Sequence, residues 1–248
     1  MLLNELCDYN ASLLQTFMFK DYCPNGLQIE GRAEVKRIAT AVTASEWVVD
    51  AAISWGADAL LVHHGYFWRN EDAAIVGFKK RRIARLLRDD VSLLAYHLPL
   101  DAHDELGNNA SLGRLLGLRP MGKFGEQNIA WLGELEQPQT LRQFTQLIDR
   151  GLLRTPQVIG DPDKMVRKVA WCSGGAQGYF EAAIALGVDA YLTGEISEQN
   201  YHQANESGVA FIAAGHHATE RLGIRALGEH LQVRFGLEHR FIDQNNPV

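Results

Sequence analysis

The stretch RIATAVTASEWVVDAAISWGADALLVHHG, residues 37–65, decides the fold. Its first seven residues, Arg37–Thr43, are apolar and rich in small and β-branched side chains, the signature of a buried strand. Residues Ser45–Trp55 carry a helical period. Gly56-Ala57-Asp58 breaks that period, and a second apolar run, Ala59–His63, follows. Strand, helix and strand at these lengths predict a parallel βαβ unit.

The same alternation extends along the chain. Further strands are predicted over Ser92–Tyr96, Val166–Cys172, Ala190–Thr193 and Val209–Ala213. Helices are predicted over Leu2–Phe17, Ile75–Arg88, Ala110–Leu116, Thr140–Arg150, Tyr179–Leu186, Ser197–Asn205 and Thr219–Leu231. The opening stretch also recurs. When Arg37-Ile38-Ala39 is laid over Lys168-Val169-Ala170, Gly56-Ala57-Asp58-Ala59 falls on Gly187-Val188-Asp189-Ala190 without a gap. Leu27-Gln28-Ile29 and Val158-Ile159 precede the two copies as short strands. The fold expected is therefore α/β with mostly parallel or mixed sheets, in two repeats over residues 1–122 and 123–248. The breakers Gly117-Leu118-Arg119-Pro120-Met121-Gly122 mark the boundary.

Composition narrows the function. With 248 residues, 46% apolar and 22% charged, the chain can bury a large core. A net charge of −6 argues against general nucleic-acid binding, which needs a basic surface. Lys79-Lys80-Arg81-Arg82 reads as a solvated helix face. The three cysteines, Cys7, Cys23 and Cys172, have no CxxC spacing and read as reduced thiols. No apolar run is long enough to span a membrane, and the amino-terminal segment reads as a helix rather than a signal peptide. A cytoplasmic protein is expected.

Potential metal ligands gather just after predicted strand ends, where parallel α/β sheets bind their ligands. His63-His64 ends an apolar strand and is followed by Gly65. The alternative for this pair is one packed and one exposed imidazole. Asp101 lies in His97-Leu98-Pro99-Leu100-Asp101, where Pro99 is expected to fix a loop; a turn or capping aspartate is the alternative. In Gly215-His216-His217-Ala218-Thr219-Glu220, His216 and Glu220 are four apart and share one face of a helical turn. Gly215 permits the tight entry.

Together these give three imidazoles and two carboxylates, more than the four ligands one zinc usually takes. The set suits two divalent ions bridged by a carboxylate and water, and does not choose among Zn, Fe, Mn, Co and Ni. His97 and Glu195 are candidates for proton transfer or substrate contact, with a metal-ligand role as the alternative for His97. Glu195, in Thr193-Gly194-Glu195, stands where the repeat places His64. Ser173-Gly174-Gly175-Ala176 could cradle an anion or be a simple tight turn. Trp68 could wall a pocket.

Val62-His63-His64-Gly65, His97-Leu98-Pro99-Leu100-Asp101 with Gly107-Asn108-Asn109, Thr193-Gly194-Glu195 and Gly215–Glu220 resemble, in order, the motifs of the NGG-one-interacting-factor-three-like family. That family is often called GTP cyclohydrolase 1 type 2 homolog. Asn25-Gly26-Leu27-Gln28 resembles its entry motif. The resemblance spans nearly the whole chain and is closest to short bacterial members. It implies two intertwined α/β repeats with a dinuclear metal site between them. Its implied ligands are His63, His64, Asp101, His216 and Glu220, and its implied assembly is a toroidal homohexamer.

The function expected is that of a metal-dependent hydrolase acting on a nucleotide or related heterocycle, in the manner of a cyclohydrolase or a damaged-nucleotide hydrolase. The alternative is a non-enzymatic metal-binding protein, for storage, delivery or as an interaction scaffold.

Overall fold

The computed structural model describes all 248 residues, Met1–Val248. In chain order the first elements are α1 (Leu3–Leu13), β1 (Gly26–Ile29), β2 (Arg37–Thr43), α2 (Glu46–Trp55), β3 (Ala59–His64), α3 (Gly77–Arg88), β4 (Ser92–Ala95) and α4 (Leu98–Ala102). There follow α5 (Asn108–Leu115), β5 (Leu118–Phe124), β6 (Ala130–Thr140), α6 (Leu141–Leu152), β7 (Gln157–Ile159) and β8 (Met165–Trp171). The last are α7 (Phe180–Ala185), β9 (Ala190–Thr193), α8 (Glu198–Ser207), β10 (Ala210–Ala213), α9 (His216–Phe235) and β11 (Glu238–Phe241).

These form a mixed α/β fold with two sheets and two compact units. The first unit holds Met1–Gly107 and Gly223–Asn245. The second holds Asn108–Leu222 and Asn246–Val248. The sequence repeat was bounded at residue 122; the packing units are bounded at residues 107 and 222.

In the first unit the sheet order is β1-β4-β3-β2-β11. Strands β4, β3, β2 and β11 run parallel, and β1 is antiparallel to β4. Both faces are covered, so side chains split by alternation. Ala39, Ala41, Leu60, Val62, Leu93 and Ala95 pack with Val48, Val49 and Ala52 of α2 and with Ile83 and Leu86 of α3. Ile38, Val42, Ala59, Leu61 and Leu94 pack on the other face with Leu3 and Leu6 of α1 and with Ile224, Leu227 and Leu231.

In the second unit the order is β5-β6-β8-β9-β10-β7. Strands β8, β9 and β10 are parallel, while β5, β6 and β7 pair antiparallel. Val169, Trp171, Leu192 and Ile212 face α5 and α6; Ala170, Tyr191, Phe211 and Ala213 face α7 and α8. The pairing registers recur between the units. Ile38 pairs with Ala59 in the first, and Val169 with Ala190 in the second, each 131 residues later.

Two expectations need correcting. Residues 118–122, expected as breakers, lie within edge strand β5. Pro120 is tolerated there because an edge strand has one side without ladder bonds. Pro99 does not hold a loop open. It sits in the first turn of α4, where its missing N–H costs no helical hydrogen bond.

Candidate metal centre

In the first unit β3 delivers two adjacent imidazoles from a buried strand. His63 is completely buried, and its Nδ1 lies 2.9 Å from the Tyr96 carbonyl. A carbonyl only accepts, so Nδ1 carries the proton and Nε2 keeps its lone pair. His64 Nδ1 lies 3.1 Å from Thr43 Oγ1, on neighbouring strand β2. The two rings are 4.7 Å apart between centroids. Asp101, buried on α4, places Oδ1 3.5 Å from His63 Nε2.

His97, just past β4, joins this group: His63, His64 and His97 offer ligand atoms within 4.8 Å of one another. Its Nδ1 lies 2.7 Å from Asp21 Oδ1. Trp68 stands edge-on to His97 with centroids 5.0 Å apart, and 5.9 Å from His64, so it does wall these imidazoles. Burial alone would raise the Asp21 carboxyl. The hydrogen bond from His97, then those from Asn25 and the Tyr22 N–H, outweigh it and bring the pKa down to about 2. Nearby Cys23 goes the other way. Burial first, and the Asp21 charge second, push its thiol up to about 12, which keeps it protonated.

In the second unit β10 ends at Ala213, and Gly215 turns the chain into α9 with φ +97°. Few side chains accept that backbone angle, and a Cβ there would strike the Arg154 side chain at 2.7 Å. The turn sets His216 and Glu220 on successive turns of α9, with Nε2 to Oε1 at 3.1 Å. On the other side of the ring, Nδ1 lies 2.7 Å from Glu195 Oε1. Burial lowers the His216 pKa, but hydrogen bonds and charge from Glu220, then Glu195, raise it to about 9. The two carboxylates thus favour the charged form of the His216 ring.

The turn Ser173–Ala176 has a different role from an anion cradle. The Ser173 N–H goes to Asn109 Oδ1, that of Gly174 to Thr219 Oγ1, and that of Ala176 to Thr193 Oγ1. The turn is instead a wall pressed against His216 and Glu220 of α9. A Cβ on Gly174, whose φ is +67°, would lie 2.2 Å from Glu220 Oε1 and 3.2 Å from His216 Nε2.

These side chains fit a divalent cation. His63, His64 and His216 are each held at Nδ1 by a neighbouring group, which leaves Nε2 as the presented atom. Metal-ligating histidines are oriented in this way. The charged arrangement at His216 points the same way: two carboxylates converge on a ring whose Nε2 proton a metal would replace. All these donors are nitrogen or oxygen, and burial keeps the neighbouring Cys23 a thiol, so the set is of the kind that binds Zn, Fe, Mn, Co or Ni.

The model of the DUF34/NIF3 (NGG1p interacting factor 3) family matches residues 1–247. The chain belongs to the DUF34/NIF3 family. A relative from Neisseria meningitidis serogroup B, named GTP cyclohydrolase 1 type 2 homolog, is 57% identical over 235 residues, covering 95% of this chain and 94% of its own. A solved structure described as protein ybgI, of unknown function, superposes with TM-score 0.97 at 47% identity, covering 100% of both chains. TTHA1606 from Thermus thermophilus superposes with TM-score 0.92 at 35% identity, again over 100% of both. The DUF34/NIF3 resemblance expected from the sequence is thus shown. The relatives' name says homolog, which assigns family and not reaction.

Sequence reasoning named His63, His64, Asp101, His216 and Glu220 as candidates, with His97 and Glu195 beside them. It missed Asp21 and Thr43, which hold imidazoles from 76 and 21 residues away. Such partners leave no local pattern. No helix of the protein is long and apolar enough to cross a membrane.

Proposed function

We propose that this DUF34/NIF3 protein is a metal-dependent hydrolase that holds two divalent cations with His63, His64, Asp101, His216 and Glu220 and acts on a nucleotide or related heterocycle. The observation that carries this reading is the shared orientation of His63, His64 and His216, each fixed through Nδ1 so that Nε2 is the presented atom. Two cations would supply Lewis acidity and lower the pKa of a water to near neutrality.

The chain's own residues do the rest. Glu220 brings a carboxylate beside His216. Glu195 accepts the Nδ1 proton of His216 and fixes its tautomer, while Gln177 donates to the other Glu195 oxygen at 3.2 Å. His97 stands beside the His63–His64 pair, in reach of a substrate proton. Trp68 offers a flat face against which a heterocycle can stack. A homohexameric assembly in the cytoplasm belongs to the same proposal.

The test is depletion from a metabolite extract by wild type and by Glu220→Ala, with metal content measured on both. The reading predicts a compound consumed by wild type alone and metal lost from the variant. If nothing is consumed and the metal passes readily to a chelator, the protein is a metal carrier and the hydrolase reading fails.

A further inference from the structure

We propose that Asp21 is a positioning residue that holds His97 with its proton on Nδ1 and its lone pair on Nε2, so that Nε2 accepts a hydrogen bond from the water or substrate beside His63 and His64. This deepens the hydrolase reading and rests on it.

The Asp21 side chain is 3% exposed and its carboxylate is saturated with donors. Oδ1 takes the Tyr22 N–H at 2.6 Å and His97 Nδ1 at 2.7 Å. Oδ2 takes Asn25 Nδ2 at 2.8 Å and the Leu98 N–H at 2.9 Å. An ionised carboxylate only accepts, so His97 donates from Nδ1, and in the neutral ring this leaves the lone pair on Nε2. Asn25 closes the clamp, because its Oδ1 accepts the His97 N–H at 2.8 Å. This gives the Asn25–Gln28 segment a use that ligand counting leaves out. It ties the chain before β1 to the turn after β4.

The ring is also held sterically. Trp68 meets it at 86° and Tyr22 at 65°, with centroids 5.0 and 6.4 Å away. Its remaining ring neighbours are His63 at 5.0 Å and His64 at 5.7 Å. A buried carboxylate that fixes the tautomer of an adjacent imidazole is the arrangement in which an Asp-to-Asn exchange selects the wrong tautomer. In Asp21→Asn the amide can donate to Nδ1, which moves the proton to Nε2 and turns an acceptor into a donor.

The experiment is a two-bond proton–nitrogen NMR correlation on zinc-loaded full-length protein with 15N-labelled histidine. His97→Ala identifies the signal. Wild type should show His97 protonated at Nδ1 and bare at Nε2. Asp21→Asn should show the opposite pattern with zinc content and circular dichroism unchanged. With a substrate in hand, kcat should fall about 10²–10⁴-fold while zinc content holds. The proposal is overturned if wild-type His97 is protonated at Nε2, if Asp21→Asn keeps the wild-type tautomer, or if His97→Ala loses zinc, which would make His97 a ligand. The wild-type spectrum decides the tautomer even where a variant misfolds. None of the spectroscopic outcomes needs turnover, so failure to find a substrate sinks the hydrolase reading without touching this result.

Discussion

Asp58 and Asp189, 131 residues apart, make the same pair of hydrogen bonds in their respective units. Asp58 Oδ2 accepts the N–H groups of Lys36 and Arg37, both at 2.8 Å. Asp189 Oδ2 accepts those of Arg167 and Lys168 at 2.9 and 2.8 Å. Each carboxylate, from the residue before one strand, holds two N–H groups of the neighbouring parallel strand, at the start of β2 and inside β8, and so pins the register of the pair.

Asp58→Ala and Asp189→Ala should each strip two N–H groups of their acceptor and destabilise the protein by about 1–3 kcal/mol. Urea denaturation followed by circular dichroism reads this as a lower midpoint. Asp58→Ala should cost more, because Asp58 also pairs with Arg32 at 2.9 Å. Equal midpoints for wild type and both variants would remove these aspartates as register pins.

The legibility of the fold follows from locality. Strands β2, β3, β4, β8, β9 and β10 announce themselves as apolar runs because both sheet faces are covered. Strand β11, Glu-His-Arg-Phe, has no such run. It exists because the edge of β2, 201 residues earlier in the chain, offers it a parallel partner. The β5–β6 ribbon was hidden for a related reason: residues 119–123 are exposed, so no apolar alternation marks them. Helix α9 begins at His216 itself, earlier than its apolar period suggests, because Gly215 makes the turn in a single residue. In the site, the candidate residues and their strand-end positions were legible; Asp21 and Thr43, which aim two of the imidazoles, were not.

Gly174→Ala probes the close approach of the turn to α9. The added Cβ would meet Glu220 Oε1 at 2.2 Å and demand a backbone angle that alanine resists. Metal content should drop at unchanged helical signal. Full metal occupancy in this variant would show that the approach is not required.

Metal uptake should depend on pH through His216. Burial opposes its protonation, but Glu220 and Glu195 raise its pKa from 6.5 to about 9, so the metal-free ring is charged at neutral pH. A cation at Nε2 must expel that proton, so apparent affinity should climb by up to about tenfold per pH unit and level off near pH 9. The sign for metal-free stability is opposite. The contribution of His216 is complete below pH 6.5 and lost as pH rises through about 9. Isothermal titration in buffers of different ionisation enthalpy would count the released protons, and a count of zero would contradict this charge state.

At acid pH the sensitive group is Asp21. Its pKa is depressed from 3.8 to about 2, despite burial, by His97 first and then by Asn25 and Tyr22. Its contribution is present above pH 3.8 and lost as pH falls through about 2. Asp21→Ala should lower stability at neutral pH and flatten the acid limb of the stability curve. An unchanged limb would mean that the carboxylate is not held ionised by this cluster.

The central claim is tested most directly by metal stoichiometry: elemental analysis after exhaustive dialysis of wild type, His64→Ala and Glu220→Ala, with circular dichroism as the control for folding. The account predicts about two divalent ions per wild-type chain and a clear loss in each variant, with the fold retained. Wild-type protein that holds no ion after loading, or variants that hold as much as wild type, would contradict it.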